Sequence, residues 1–123
     1  MPRFVVLHHE LPANSGRSSH WDLMFEVGDV LVTFALPQPP GELPEQLVDA
    51  LADHRPEYLS YEGPVSGGRG EVTRWDEGSY ETVSRSEDAW EVRLTGRRTP
   101  ERAVITQGAA SPGKRVIRWG EGR

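Results

Sequence analysis

His20-Trp21-Asp22-Leu23-Met24-Phe25-Glu26-Val27, then Gly28-Asp29, then Val30-Leu31-Val32-Thr33-Phe34-Ala35-Leu36 is the stretch on which the fold turns. Successive side chains of a strand point to opposite faces. Trp21, Leu23, Phe25 and Val27 therefore share one face, and His20, Asp22, Met24 and Glu26 share the other. The wholly apolar face must be the buried one, which leaves His20 and Asp22 on an outer or groove surface. Gly28-Asp29 between two strand-like runs is a two-residue hairpin signal. Pro37-Gln38-Pro39-Pro40-Gly41 stops the second strand, because proline cannot donate to a ladder.

Working outward, Phe4 to His8 reads as a first strand, and residues 10–19 as an exposed Pro/Gly-bearing loop. Past the hairpin, the spacing predicts the one helix of the chain. Pro44 would sit in its first turn, and Leu47, Val48 and Leu51 recur at helical spacing up to Asp53. Short strands are expected at Tyr58–Tyr61, Gly70–Trp75, Ser79–Ser84, Ala89–Leu94, Ala103–Thr106 and Arg115–Trp119. Gly63-Pro64, Ser66-Gly67-Gly68, Asp76-Glu77-Gly78 and Gly96 punctuate them. The pattern predicts a mainly β fold, a small closed or partly open β-barrel with one short helix. No repeat, linker or low-complexity stretch interrupts it, so residues 1–123 are expected to form a single domain with a frayed tail at 120–123.

Bulk properties narrow the function classes. A chain of 123 residues can bury a real core, and 13 glycines with 10 prolines are too many for a helix bundle. Without cysteine there is no disulfide framework and no thiolate metal site. The apolar run Phe4–Leu7 is too short for a signal peptide or a membrane span, so a cytoplasmic location is the expectation. The net charge of −5 speaks against sequence-independent nucleic-acid binding, yet it is unevenly placed. Residues 1–64 hold 10 acids and 3 bases, whereas residues 65–123 hold 9 acids and 11 bases. Thirteen of the fourteen bases are arginine, which suits bidentate phosphate contacts, although an arginine-rich codon usage leaves the same trace.

The four histidines, His8, His9, His20 and His54, all lie in the first 54 residues. His20 and Asp22, two apart on a strand, project from one face roughly 7 Å apart at their Cα atoms. Neutral imidazoles with one carboxylate suit Mn²⁺, Zn²⁺ or Fe²⁺. His8 and His9 adjoin on a strand and face opposite ways, so only one can join such a site. By spacing alone, histidines on a strand face are more often solvated than ligating. The Gly67-Gly68-Arg69-Gly70 run reads as a turn between strands before a phosphate cradle. Trp21, Trp75, Trp90 and Trp119 read as core and rim, and Arg97-Arg98 as a solvated turn.

Five pieces, in order, resemble the 3′-phosphoesterase domain of bacterial DNA ligase D. Phe4-Val5-Val6-Leu7-His8-His9 and His20-Trp21-Asp22-Leu23-Met24-Phe25-Glu26 are similar to its F-V-V-x-x-H and H-Y-D-F-R-L-E strands. Val30-Leu31 through Leu36-Pro37 is similar to its V-L-x-x-W-A-V-P segment. Asp53-His54-Arg55-Pro56-Glu57-Tyr58 with Tyr61-Glu62-Gly63 resembles D-H-P-x-x-Y-x-x-F-E-G, with Arg55 where the family has proline. Gly67-Gly68-Arg69-Gly70-Glu71-Val72, then Trp75-Asp76-Glu77-Gly78-Ser79-Tyr80-Glu81, parallels G-x-G-x-V and W-D-x-G-x-Y/W-E. The resemblance implies a barrel holding a divalent ion, manganese before zinc or another transition metal, through His9, Asp22 and His54. It implies that His20 engages the scissile phosphate, makes Tyr58, four residues after His54, the second catalytic candidate, and implies removal of a 3′-phosphate or 3′-terminal ribonucleotide in DNA repair.

Three cationic positions of the family pattern are replaced here, by Met24 for Arg, Gln38 for Lys and Gln46 for Arg. Each charge-assisted contact would be worth about 1.5–3 kcal/mol. The acidic and basic residues that the family places ahead of the first strand are expected to be absent as well. Arg55, Arg69 and Arg17 are the candidate substitutes for phosphate binding. Two rival readings stand beside the enzyme: a non-catalytic, metal-containing binding or accessory module of the same fold, and a hydrolase of a small phosphorylated metabolite, which would tolerate the acidic surface better. The expected partners are a nucleic-acid 3′ end and repair ligase and polymerase modules on other chains, with no membrane contact, and the expected state is a monomer.

Overall fold

The computed structural model describes residues 1–107 and 113–121. Its strands are β1 (Arg3–Glu10), β2 (His20–Val27), β3 (Val30–Leu36), β4 (Glu45–Ala50), β5 (Gly63–Pro64), β6 (Glu71–Arg85), β7 (Ala89–Thr95), β8 (Arg102–Gln107) and β9 (Lys114–Gly120). They hydrogen-bond in the order β1-β2-β3-β4-β9-β8-β7-β6-β5, all antiparallel. A further pairing of β1 with β6 closes eight of them into a barrel, leaving the two-residue β5 as a strip on β6. Closure removes the sheet edges that an open sheet would expose. Among the described residues no helix is long and apolar enough to cross a membrane. Gly120 ends β9, while Gly122 and Arg123 of the expected frayed tail lie outside the described residues.

The hairpin reading holds residue by residue: Val27 pairs with Val30 across Gly28-Asp29, and Trp21 with Leu36 at the far end. The expected helix over Pro44–Asp53 is instead strand β4, paired with β9 and, at its end, β3. Leu47, Val48 and Leu51 satisfied a helical spacing, but burial follows period two: Gln46 and Val48 point inward while Leu47 is 54% exposed. The only helical element among the described residues is a 3₁₀ turn at Pro56–Leu59, which replaces the strand expected over Tyr58–Tyr61. Proline at its start and one turn's length leave no room for a ladder.

Asp76-Glu77-Gly78 is not a turn; β6 runs straight through it for 15 residues. The carboxylate of Asp76 is spent elsewhere, accepting the backbone N–H groups of Arg97, Arg98 and Thr99 and the Thr99 hydroxyl at 2.6–3.0 Å. It thereby caps the β7–β8 turn, over which Arg98 lies against the face of Trp75. Gly78 is needed because a Cβ there would sit 1.9 Å from the Thr95 carbonyl oxygen. The family-like W-D-x-G motif is thus a structural joint.

Two apolar layers share the strands. The barrel interior holds Phe4, Val6, Leu23, Phe25, Phe34, Leu36, Val48, Tyr80, Trp90, Val92, Leu94, Ala103, Ile105 and Ile117, with Trp21, Trp75 and Trp119 at its margin. The second layer lies outside β1–β3, where Val5, Leu7, Met24, Leu31 and Val72 are sealed by Leu59 of the 3₁₀ turn and flanked by Tyr58 and Val65. The face of β2 that carries His20 and Asp22 is therefore outside the barrel, as expected, but roofed rather than solvated.

Burial alone would raise the Asp76 carboxyl, but the Thr99 hydroxyl and the three backbone donors hold it below its ordinary 3.8. A depressed carboxyl stabilises the fold above the unfolded value and loses that contribution as pH falls through the folded one. Asp76→Ala should cost at least about 1–3 kcal/mol at neutral pH, the penalty for one buried donor left unpaired. Denaturant unfolding across pH should show the gap between wild type and variant closing below about pH 3.8.

Candidate metal centre

The register of β1 on β2 assembles the site. His9 pairs with His20, Leu7 with Asp22 and Val5 with Met24, so His9, His20 and Asp22 project side by side from the outer face. His8, on the opposite face, stacks on Trp21 at 4.5 Å and takes no part. His54 lies 18 residues past the end of β3 and returns to it: its backbone makes an isolated two-bond bridge to Leu31, at 2.8 Å in both directions. A pocket of about 470 Å³ results, lined by His9, His20, Asp22, His54, Arg17 and Arg69 among others.

Within it, ligand atoms of His9, His20 and Asp22 lie within 4.8 Å of one another. His9 Nδ1 is 3.5 Å from Asp22 Oδ2, and His20 Nε2 is 3.1 Å from Oδ1. His54 lines the same pocket but stands outside this closest group. Each imidazole has its other nitrogen on a backbone carbonyl: His9 Nε2 on Arg69 at 2.7 Å, His20 Nδ1 on Ser18 at 3.1 Å and His54 Nδ1 on Ala52 at 2.9 Å. A carbonyl can only accept, so those nitrogens carry the protons. His9 Nδ1, His20 Nε2 and His54 Nε2 are left with lone pairs when the rings are neutral. This anchoring of the distal nitrogen is the arrangement that orients metal-binding histidines.

The carboxylate tests whether an ion fits. Asp22 is 3% exposed, and its Oδ1 is buried without a well-directed hydrogen-bond donor, since His20 approaches it off line. A buried anionic oxygen lacking a donor, facing imidazole lone pairs, is a donor set that a divalent cation completes. Burial pushes the Asp22 carboxyl up, but His20 and then His9 beside it hold it below its ordinary value. The neighbouring Asp22 carboxylate holds His20 above 6.5, against the desolvation that would lower it.

The remaining candidates divide. Arg17 lines the pocket from the 10–19 loop. Arg69 lines it too, but its guanidinium turns back onto Ser66, and its contribution to His9 is the backbone carbonyl. Arg55 is not in this pocket; it lines a neighbouring depression and pairs loosely with Glu57 at 3.6 Å. Tyr58 lies in that same depression with its ring edge-on to His54, centroids 5.6 Å apart. Met24, where the family pattern has a cation, is 1% exposed in the outer apolar layer. Gln46 and Gln38 occupy each other: the Gln46 side chain accepts from the Gln38 N–H and donates to its carbonyl, both at 3.1 Å.

Sequence reasoning missed the three carbonyls, of Ser18, Ala52 and Arg69, because a peptide group has no residue signature. One signal was present. Gly70 is glycine because a Cβ would sit 1.9 Å from the Glu10 carbonyl oxygen, and that close approach brings the 66–70 turn against the end of β1 beside His9.

A family model for the DNA ligase D 3′-phosphoesterase domain matches residues 9–107. The multifunctional non-homologous end joining protein LigD of Mycolicibacterium smegmatis is 36% identical over 85 residues, 65% of this chain and 10% of that protein. The multifunctional non-homologous end joining DNA repair protein LigD of Mycobacterium tuberculosis is 32% identical over 90 residues, 69% of this chain and 11% of that protein. The chain spans about a tenth of the length of the curated relatives it matches.

In metal-free protein, an NMR titration of the imidazole carbons should place the His20 midpoint above 6.5. Asp22→Asn removes the largest raising influence and leaves desolvation, so the His20 midpoint should fall. A midpoint unmoved by Asp22→Asn would disprove the coupling.

Proposed function

The chain belongs to the DNA ligase D 3′-phosphoesterase domain family, and from that premise we propose that it is a divalent-metal-dependent phosphoesterase acting on nucleic-acid 3′ ends during end-joining repair. It would release a 3′-phosphate or a 3′-terminal ribonucleotide. The observation that carries the proposal is the convergence of His9, His20 and Asp22 within 4.8 Å on a pocket that His54 also lines. His9, Asp22 and His54 would hold the ion, manganese by the family's preference, with zinc also compatible with the donors. When bound, such an ion polarises a phosphoryl oxygen and lowers the pKa of its water.

The chain's own residues supply the rest. His20, whose protonated form Asp22 favours, can stabilise the phosphate and, when protonated, hand a proton from Nε2 to the departing oxygen. Tyr58 holds the His54 ring by its edge. Arg17 stands on the pocket wall as the cation for the phosphate, the role the sequence pattern assigns to residues replaced here by Met24, Gln38 and Gln46. Those replacements favour a second reading, a non-catalytic module of the same fold that keeps the ion and binds without turnover.

Asp22→Ala should abolish metal binding and hydrolysis together, because two neutral imidazoles hold a divalent ion poorly. His20→Ala should keep the ion and lose roughly 10²–10⁴ in rate. Release of phosphate or nucleoside from a primer–template with Mn²⁺, read beside Mn²⁺ affinity, separates the cases. If His20→Ala also loses the ion, the cage is the tighter His9, His20 and Asp22 set. Wild-type protein that binds Mn²⁺ and releases nothing from any 3′ end would establish the non-catalytic reading.

A further inference from the structure

Beyond His54 lies a second depression of about 440 Å³, lined by Arg55, Tyr58, Tyr61, Pro64 and Val65 among others. Its size falls in the range of small-ligand sites. Three rings run from one pocket into the other: His54 meets Tyr58 at 5.6 Å and 77°, and Tyr58 meets Tyr61 at 5.8 Å and 84°. Tyr61 is 37% exposed, the one aromatic among the described residues with so much surface in water. It is nonetheless fixed, by its hydroxyl donating to the Pro64 carbonyl and by the edge contact with Tyr58. The barrel interior and the roof over Met24 are built without it. At the lip, the Arg55 side chain is 75% exposed in a surface pair with Glu57, a contact of little energy that leaves the cation available.

A rigid, partly exposed aromatic ring beside a free guanidinium accommodates a flat π system with a phosphate attached to it. The ring series ends at the histidine cluster, so such a ligand would lie with its phosphate toward His20 and Asp22. We propose that this depression is a base-stacking subsite for the terminal nucleoside of a 3′ end, with Tyr61 as the stacking platform. The inference rests on the 3′-end reading and deepens it by assigning the nucleoside its own side of the centre. Stacking on a tyrosine face is sequence-tolerant, so the subsite takes any of the bases. A 3′-phosphate end carries no nucleoside beyond its terminal phosphate, and its binding does not use Tyr61.

The test uses primers carrying a 2-aminopurine ribonucleotide either at the 3′ terminus or several positions inward, titrated with protein without divalent ion so that no turnover occurs. Stacking quenches the probe. Wild-type protein should quench the terminal probe and not the internal one. Tyr61→Ala should remove that quenching and weaken binding of the ribonucleotide-ended primer roughly 5- to 150-fold, the range that loss of one stacked base spans, while Tyr61→Phe retains both. Binding of a 3′-phosphate-ended primer should be unchanged in Tyr61→Ala. If Tyr61→Ala does not fold, Tyr61→Leu keeps the apolar bulk without the π face and makes the same comparison. Terminal quenching that survives loss of the ring, or equal quenching at both positions, overturns the subsite. Tyr61-dependent quenching by a protein that hydrolyses no 3′ end supports the subsite while refuting the phosphoesterase reading.

Discussion

The antiparallel register of β1 on β2 is the constraint on which the rest depends. Pairing His9 with His20 and Leu7 with Asp22 brings two imidazoles and one carboxylate to one patch of the outer face. A slip by one residue would turn every one of these side chains into the barrel and every core residue out. The register is held from both sides. Phe4, Val6, Leu23 and Phe25 pack inside, and Val5, Leu7 and Met24 pack under the 3₁₀ turn outside. Burial of apolar surface on two faces therefore fixes the geometry of the polar site at their edge. The segment that roofs the outer layer also delivers His54, through its bridge to Leu31.

Electrostatics at the centre are concentrated in one buried carboxylate. Asp22 sits at 3% exposure against imidazoles whose far nitrogens are tied to carbonyls, so the lone pairs cannot turn away. Around it the cations have been withdrawn: Met24 is core, Gln38 and Gln46 satisfy each other, and Arg69 folds onto Ser66. With the N-terminal half carrying most of the acidic excess, the cations left to attract a phosphate at short range are Arg17 on the pocket wall and Arg55 at the neighbouring lip. Long-range steering of the kind a basic groove provides is absent from this arrangement.

Much of this was legible in the sequence because period-two alternation and a Gly-Asp hairpin are short-range signals. In β2, Leu23, Phe25 and their neighbours Trp21 and Val27 all turn to the barrel interior, and Val27 pairs with Val30 across the Gly-Asp turn. The His/Asp set could be read from the strand faces together with the family-like motifs. β4 was not legible, because its inward residues are Gln46 and Val48, and a buried glutamine breaks the apolar alternation that marks a strand. Its amide is paid back only by Gln38, a partner eight residues away that the pattern does not announce. The Asp76 segment was misread as a turn for a related reason: its carboxylate caps a turn more than twenty residues later. The burial of Met24 depends on Leu59, far along the chain, so the outer face of β2 looked solvated when read alone.

The most direct measurement is a crystal structure of the protein soaked with Mn²⁺, with the ion located by its anomalous scattering. One ion should be bound by His9, Asp22 and His54 at roughly 2.0–2.3 Å, with His20 beside it at the rim of the same pocket. An ion bound elsewhere, or a centre that takes up no manganese at saturating concentration, would contradict it.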